Sequence, residues 1–131
     1  MRPYELGAKA TEQPGFQTVL AEAIVLLDAA QALSDRYCAE LETLGSARQS
    51  QDDPERRSRF FAQRAWIART CSQVVEKLFI ASGANALFHA HPLQQIWRDA
   101  HAVAQHVAVI YEDGLSSLGR TLVGLSGHPL L

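Results

Sequence analysis

Apolar side chains recur at intervals of three and four from Phe16 through Val19, Leu20, Ala23, Leu27, Ala30, Tyr37, Leu41 and Leu44. This is one helix face sustained for about eight turns. A strand turns successive side chains to opposite faces and offers no such stripe, so the segment is committed to helix. Gly45 then opens a polar linker over 46–52. Asp53, Pro54 and Glu55 restart the pattern with an acceptor at the N-cap, a residue needing no amide partner at the first position, and an acid in the first turn. The second run carries Phe60, Ile67, Cys71, Val74, Val75, Leu78 and Phe79 and frays near Ser82 and Gly83. A loop or broken turn from Ala84 to His91 follows. Pro92 then opens a third run, with Ile96, Ala100, Val103, Val107, Ile110, Tyr111, Leu115, Leu118 and Leu122 along one side. Gly124, Gly127 and Pro129 end it and leave a short tail.

The spacing predicts helices over about 16–44, 54–82 and 92–123 in a single domain, 1–131. Each is roughly 40–45 Å long, and short connections make an all-α, up-down bundle of three long helices. The apolar stripes are wider than a three-helix layout covers, so self-association as a dimer or tetramer is expected.

A chain of 131 residues has room for one domain with a real core. Its net charge of −2 gives nucleic acid no bulk electrostatic hold. No apolar run approaches the roughly 20 residues of a bilayer span. Met1, Arg2, Pro3 and Tyr4 lack the apolar stretch of a secretory signal. A soluble, cytoplasmic protein with no membrane partner is expected. Cys38 and Cys71 have no CxxC or histidine spacing beside them and read as free, buried thiols; the sequence leaves a disulfide between them open.

The third run carries the chemistry. With His106 at the zero of the wheel of this third helix, Asp99 and Asp113 fall within about 20° of it, each about 10 Å away along the axis. His106 would then sit at the edge of the core stripe, as a half-buried histidine bonded across the bundle or as a general base facing a cleft. His101 points toward the side of Gln105 and Glu112. His89, His91 and His101 lack a carboxylate-rich partner, so no metal site is expected. Arg98 and Asp99 read as a surface ion pair, and Trp97 as core or as a stacking platform. Arg56, Arg57 and Arg59 read as a solvated first turn. There is neither a glycine-rich phosphate loop nor a Ser-His-Asp order; Gly114 and Gly119 lie within the helical pattern.

Taken together, the run Ala81 to Ala84, then Pro92, Leu93 and Gln94, then Trp97, Arg98 and Asp99, then His106, then Gly119, Arg120 and Gly124 resemble the end of one family. It is the acyl-CoA-dehydrogenase-like flavin-dependent monooxygenases, whose usual form there is a GA element, PLQRxWRD, a histidine seven residues after the acid, and GRxLLG. Gln95 stands where that family usually has arginine. The stretch from Pro14 to Ala30 resembles the second helix of the family's C-terminal bundle, so the likeness covers nearly the whole chain.

The resemblance implies a bundle that normally follows an N-terminal helical domain and a β-domain, usually in a tetramer. It implies that His106 faces flavin and substrate as the catalytic residue. It also implies that Gly83, Ala84 and Asn85 approach the cofactor of a neighbouring subunit, and that Trp97, Arg98 and Asp99 form a motif near the substrate. No counterpart of the N-terminal domain, the β-domain or the bundle's first helix is recognised in the sequence. The chain is therefore expected to be a component acting with a separately encoded flavin-binding subunit. FMN or FAD would be held only in that complex, or no cofactor at all, beside a small apolar or aromatic ligand. Two other readings stand: a cofactor-independent isomerase, cyclase or dehydratase using His106, and a non-catalytic dimerisation module.

Overall fold

A computed structural model describes residues 10–47 and 53–129. The linker expected over 46–52 falls mostly outside these residues, as do the first residues of the chain. Among the described residues there are four α-helices and no strand: α1, Pro14–Ser46; α2, Pro54–Ala81; α3, Pro92–Ala104; and α4, Tyr111–Leu122. The fold is the all-α bundle that the periodicity implies.

The starts and stops follow local chemistry. The Asp53 carboxylate accepts the Glu55 and Arg56 amides at 3.0 and 3.3 Å, and Pro54 sits at the first position of α2. His91 caps α3, its Nδ1 accepting the Leu93 amide at 3.3 Å. After α4 the chain passes through Gly124 at φ 79°, and the Leu125 amide reaches back to the Arg120 carbonyl at 2.9 Å. A β-carbon would strain that left-handed turn.

Helix α2 is the hub; α1, α3 and α4 each pack principally on it. Helix α1 runs antiparallel to it, with Tyr37 edge-on to Phe60 at 5.3 Å and Glu22 paired to Lys77 at 3.1 Å. Helix α4 lies on the first half of α2. The Ser58 and Ser117 hydroxyls meet there at 3.0 Å in the core, and Gly114 sits so close that a β-carbon would come within 2.8 Å of the Ala65 β-carbon. Helix α3 lies on the second half, through Phe79 and Trp97. The core is built from Phe60, Phe61, Ala62, Ala65 and Val74 with Ala23 and Ala30.

The structure departs from the sequence reading in three places. The third long helix is divided. The backbone leaves the helix at His106 (φ −67°, ψ 137°), makes a 3-10 turn over Val107–Val109, and re-enters α4 after Ile110. The His106 ring accepts the Ala108 amide at 3.2 Å, a local bond that competes with the helical ladder. Val103, Val107 and Val109 weaken the ladder further, because branching at Cβ costs rotamer freedom in a helix. Second, α1 is long and apolar enough to cross a membrane by length and composition. Its most apolar 18-residue window has a mean hydropathy of 1.4, with 11% of it buried. Third, Cys38 is exposed and Cys71 half-buried; both are free thiols.

Candidate functional site

Breaking the third helix opens a polar cavity of about 220 Å³ between α2 and the α3–α4 junction. Helix α2 supplies Arg69, Ser72, Gln73 and Glu76; α3 supplies His101, Ala104 and Gln105; the start of α4 supplies Tyr111 and Glu112. Glu76 anchors the wall. Its carboxylate accepts the Trp97 indole N–H and lies 3.4 Å from His101 Nε2. His101 Nδ1 is 2.8 Å from the Trp97 carbonyl, so both ring nitrogens face oxygen acceptors. The Trp97 ring lies against the His101 ring at 4.5 Å and against Phe79 at 5.4 Å. Across the cavity the Arg69 guanidinium sits 5.2 Å over the Tyr111 ring and 3.9 Å from Glu112. A small polar ligand would meet donors and acceptors of both signs here.

The expected grouping of His101 with Gln105 and Glu112 lines this cavity. Glu76 went unread, because a lone acid on the polar side of α2 carries no signal until α3 is laid against it.

His106 stands two residues beyond Ala104, exposed at the break. With Nδ1 accepting the Ala108 amide, its proton resides on Nε2. The ring lines neither this cavity nor the groove described next. The break also dissolves the expected alignment of His106 with two acids: Asp99 is exposed beside that groove, and Asp113 lines a separate pocket with Arg120 and His128. Trp97 faces α2, while Arg98 is exposed. Gly83 takes φ 70°, its amide bonded to the Ile80 carbonyl at 3.2 Å. Ala84 and Asn85 follow in a 3-10 turn, with Gly83 and Ala84 exposed. Among the described residues no group of His, Cys, Asp or Glu is placed to hold a metal.

A second concavity, an apolar groove of about 630 Å³, runs between α1, α2 and α3. Helix α2 lines it with Arg64, Ile67, Ala68 and Cys71, and α3 with Ile96, Asp99, Ala100 and Val103. Helix α1 closes one side with Ser34, Tyr37 and Cys38.

The acyl-CoA dehydrogenase C-terminal domain model matches residues 2–111. The chain belongs to that family. Its bundle is similar to those of flavin-dependent oxygenase components. The HsaA oxygenase subunit of a flavin-dependent monooxygenase from Rhodococcus jostii strain RHA1 is 38% identical over 103 residues, 78% of this chain and 26% of that protein. The oxygenase component of p-hydroxyphenylacetate 3-hydroxylase from Acinetobacter baumannii is 31% identical over 67 residues, 51% of this chain and 16% of that protein. In the crystal structure of 3-HSA hydroxylase from Rhodococcus sp. RHA1, a segment superimposes with a TM-score of 0.77 at 32% identity, covering 87% of this chain and 30% of that one. This acyl-CoA-dehydrogenase-like bundle thus spans less than a third of the length of these relatives.

Proposed function

We propose that the chain serves as the C-terminal bundle of a cytoplasmic flavin-dependent monooxygenase oxygenase component. It would act on a small apolar or aromatic substrate with reduced FMN or FAD made by a separate reductase. The observation that carries the reading is the 38% identity to an oxygenase subunit over 103 residues. His106 is exposed at the helix break, so in this reading its surroundings are completed by protein beyond the described residues.

The described residues do not enclose a flavin, since Gly83, Ala84 and His106 all lie open. In this reading the cofactor is held against this surface by protein beyond the described residues, proposed to be a separately encoded flavin-binding subunit together with neighbouring copies of the bundle. In that assembly the Gly83–Asn85 turn approaches the flavin of a neighbouring copy, and Trp97, Arg98 and Asp99 shape the bundle beside the substrate. His106, its Nδ1 engaged by the Ala108 amide, offers an Nε2–H as hydrogen-bond donor to flavin or substrate. Leu20, Ile24, Val25 and Leu27 of α1 remain exposed, and such apolar surface supports association. The cofactor-independent reading requires an enclosed hollow around His106, and the ring is exposed, so it is not adopted.

The test is a graft of this chain in place of the matching C-terminal segment of the Rhodococcus jostii oxygenase subunit, supplied with reduced flavin. Retained oxygenation, cut by about 100-fold or more in His106→Ala with unchanged helicity, supports the proposal. A folded graft that binds no flavin, or turnover indifferent to His106→Ala, leaves an association module.

A further inference from the structure

The polar cavity between α2 and the α3–α4 junction is used neither by the flavin reading nor by His106. Arg69, Ser72, Gln73 and Glu76 line it from positions i, i+3, i+4 and i+7 of α2, one helix face about 10 Å long. A cation stands at one end of this strip and a carboxylate at the other, with neutral polar groups between. No ion pair joins the two charges.

Each part of the strip keeps bonding capacity in hand. Arg69 faces Glu112 at 3.9 Å, beyond hydrogen-bond length, and the Glu112 side chain is 74% exposed, so that pair is weak. Glu76 spends one oxygen, Oε2, on both the Trp97 indole and His101; among the described residues Oε1 has no partner. Between them Ser72 is 6% exposed, and its hydroxyl makes no hydrogen bond to the described residues. Buried hydroxyls are rarely left unbonded, and this residue lines the cavity.

These features specify a guest. At about 220 Å³ the cavity is smaller than the roughly 300–1,000 Å³ sites of drug-sized ligands, so it takes a small molecule. Charge complementarity asks for an anion toward Arg69 and a cation toward Glu76, and the buried Ser72 hydroxyl asks for a polar group midway. An extended dipeptide spans about 7 Å, which fits the strip once two side chains reach inward, and its amide falls at the middle. A single amino acid is too short to meet both ends, and a simple organic acid leaves Glu76 unmatched. We infer that the cavity binds a free dipeptide, its carboxylate on Arg69, its ammonium on Glu76 Oε1 and its amide against Ser72. Such binding requires neither flavin nor His106, so it stands or falls separately from the monooxygenase reading.

The probe is glycylglycine, titrated into the intact chain and followed by the Trp97 indole and Tyr111 ring signals in NMR. Saturable shifts are expected, with affinity at least about tenfold weaker for glycine, for glycylglycine amide and for N-acetylglycylglycine, each of which loses an end. Arg69→Gln weakens glycylglycine about tenfold and leaves the amide unchanged; Glu76→Gln weakens glycylglycine and leaves the N-acetyl form unchanged. Ser72→Ala weakens glycylglycine and leaves δ-aminovalerate, a chain of similar length without the amide, unchanged. No saturable shift with glycylglycine overturns the dipeptide site and leaves a water-filled cleft. Equal affinity for glycylglycine and its end-blocked forms overturns it too, because the charged ends then recognise nothing. So does δ-aminovalerate bound as tightly as glycylglycine, which removes the role of the amide. The ligand series needs only the wild-type chain, so it decides even where a variant fails to fold.

Discussion

The two flanks of α2 are built by opposite rules. Against α4 the contact is backbone-close. Gly114 rests on Ala62 and Ala65, the Ser58 and Ser117 hydroxyls pair out of water, and the Ser117 oxygen also takes the His128 amide at 2.9 Å. Against α1 the contact runs through small Ala23 and Ala30, buried Leu44 and the Tyr37–Phe60 ring pair, with Leu20, Ile24, Val25 and Leu27 left facing outward. The first flank has one close-fitting solution and holds the domain together. The second leaves apolar area that monomeric soluble proteins seldom expose contiguously. Stability and association are thereby assigned to different sides of the same helix.

The largest effect expected from breaking this division is on the close flank. In Gly114→Val the first added carbon meets Ala65 Cβ at 2.8 Å and the Phe61 carbonyl at 3.1 Å. Helix α4 must lift off, and the cost is about 3 kcal/mol or more in urea unfolding. Gly119, one turn further along α4, has nothing within 4 Å. There the only consequence of Gly119→Ala is helix propensity, a gain of about 0.5–1 kcal/mol. Opposite signs for two glycines in one helix confirm that closeness to α2 sets the outcome; equal signs break the comparison.

Much of this was legible in the residues. Asp53-Pro54 and Pro92 mark helix starts wherever they occur, because the cap and the fixed φ are local. The break at His106 was not legible, since Val103, Val107 and Ile110 keep helical spacing straight through it and no Gly or Pro interrupts them. What ends α3 is a side chain bonding to its own backbone, a competition that periodicity does not register. The polar cavity was half legible: the helical wheel grouped His101 with Gln105 and Glu112, but Glu76 is 25 residues away from His101 and acquires meaning only through packing.

A middle-sized effect belongs to that packing. Glu76→Ala leaves the half-buried Trp97 indole N–H without its acceptor, at a cost of about 1–2 kcal/mol. Glu76→Gln retains an oxygen for the indole and loses only the charge facing His101. Because both side chains are more than a third exposed, that loss stays below about 1 kcal/mol. The Trp97 indole proton shift in NMR separates the variants: it moves in Glu76→Ala and holds in Glu76→Gln. If both variants move it alike, the Glu76 charge rather than its oxygen positions α3.

The smallest effect on folding is the most telling for association. Val25 is 67% exposed on the outer face of α1, so Val25→Glu removes no core contact and changes unfolding free energy by less than about 0.5 kcal/mol. The same charge would be costly to bury once a partner covers α1, because a carboxylate taken from water without a counter-ion is heavily penalised. Sedimentation of the wild-type chain and the variant, alone and with the flavin-binding subunit proposed above, reads that penalty directly. Loss of an assembly with stability intact means α1 is an interface held in reserve by the fold. An unchanged assembly moves the interface to the segments flanking α3, where Phe88 before it and Val107 after it are also uncovered, and an unfolded variant means that the outer face of α1 carries core contacts after all.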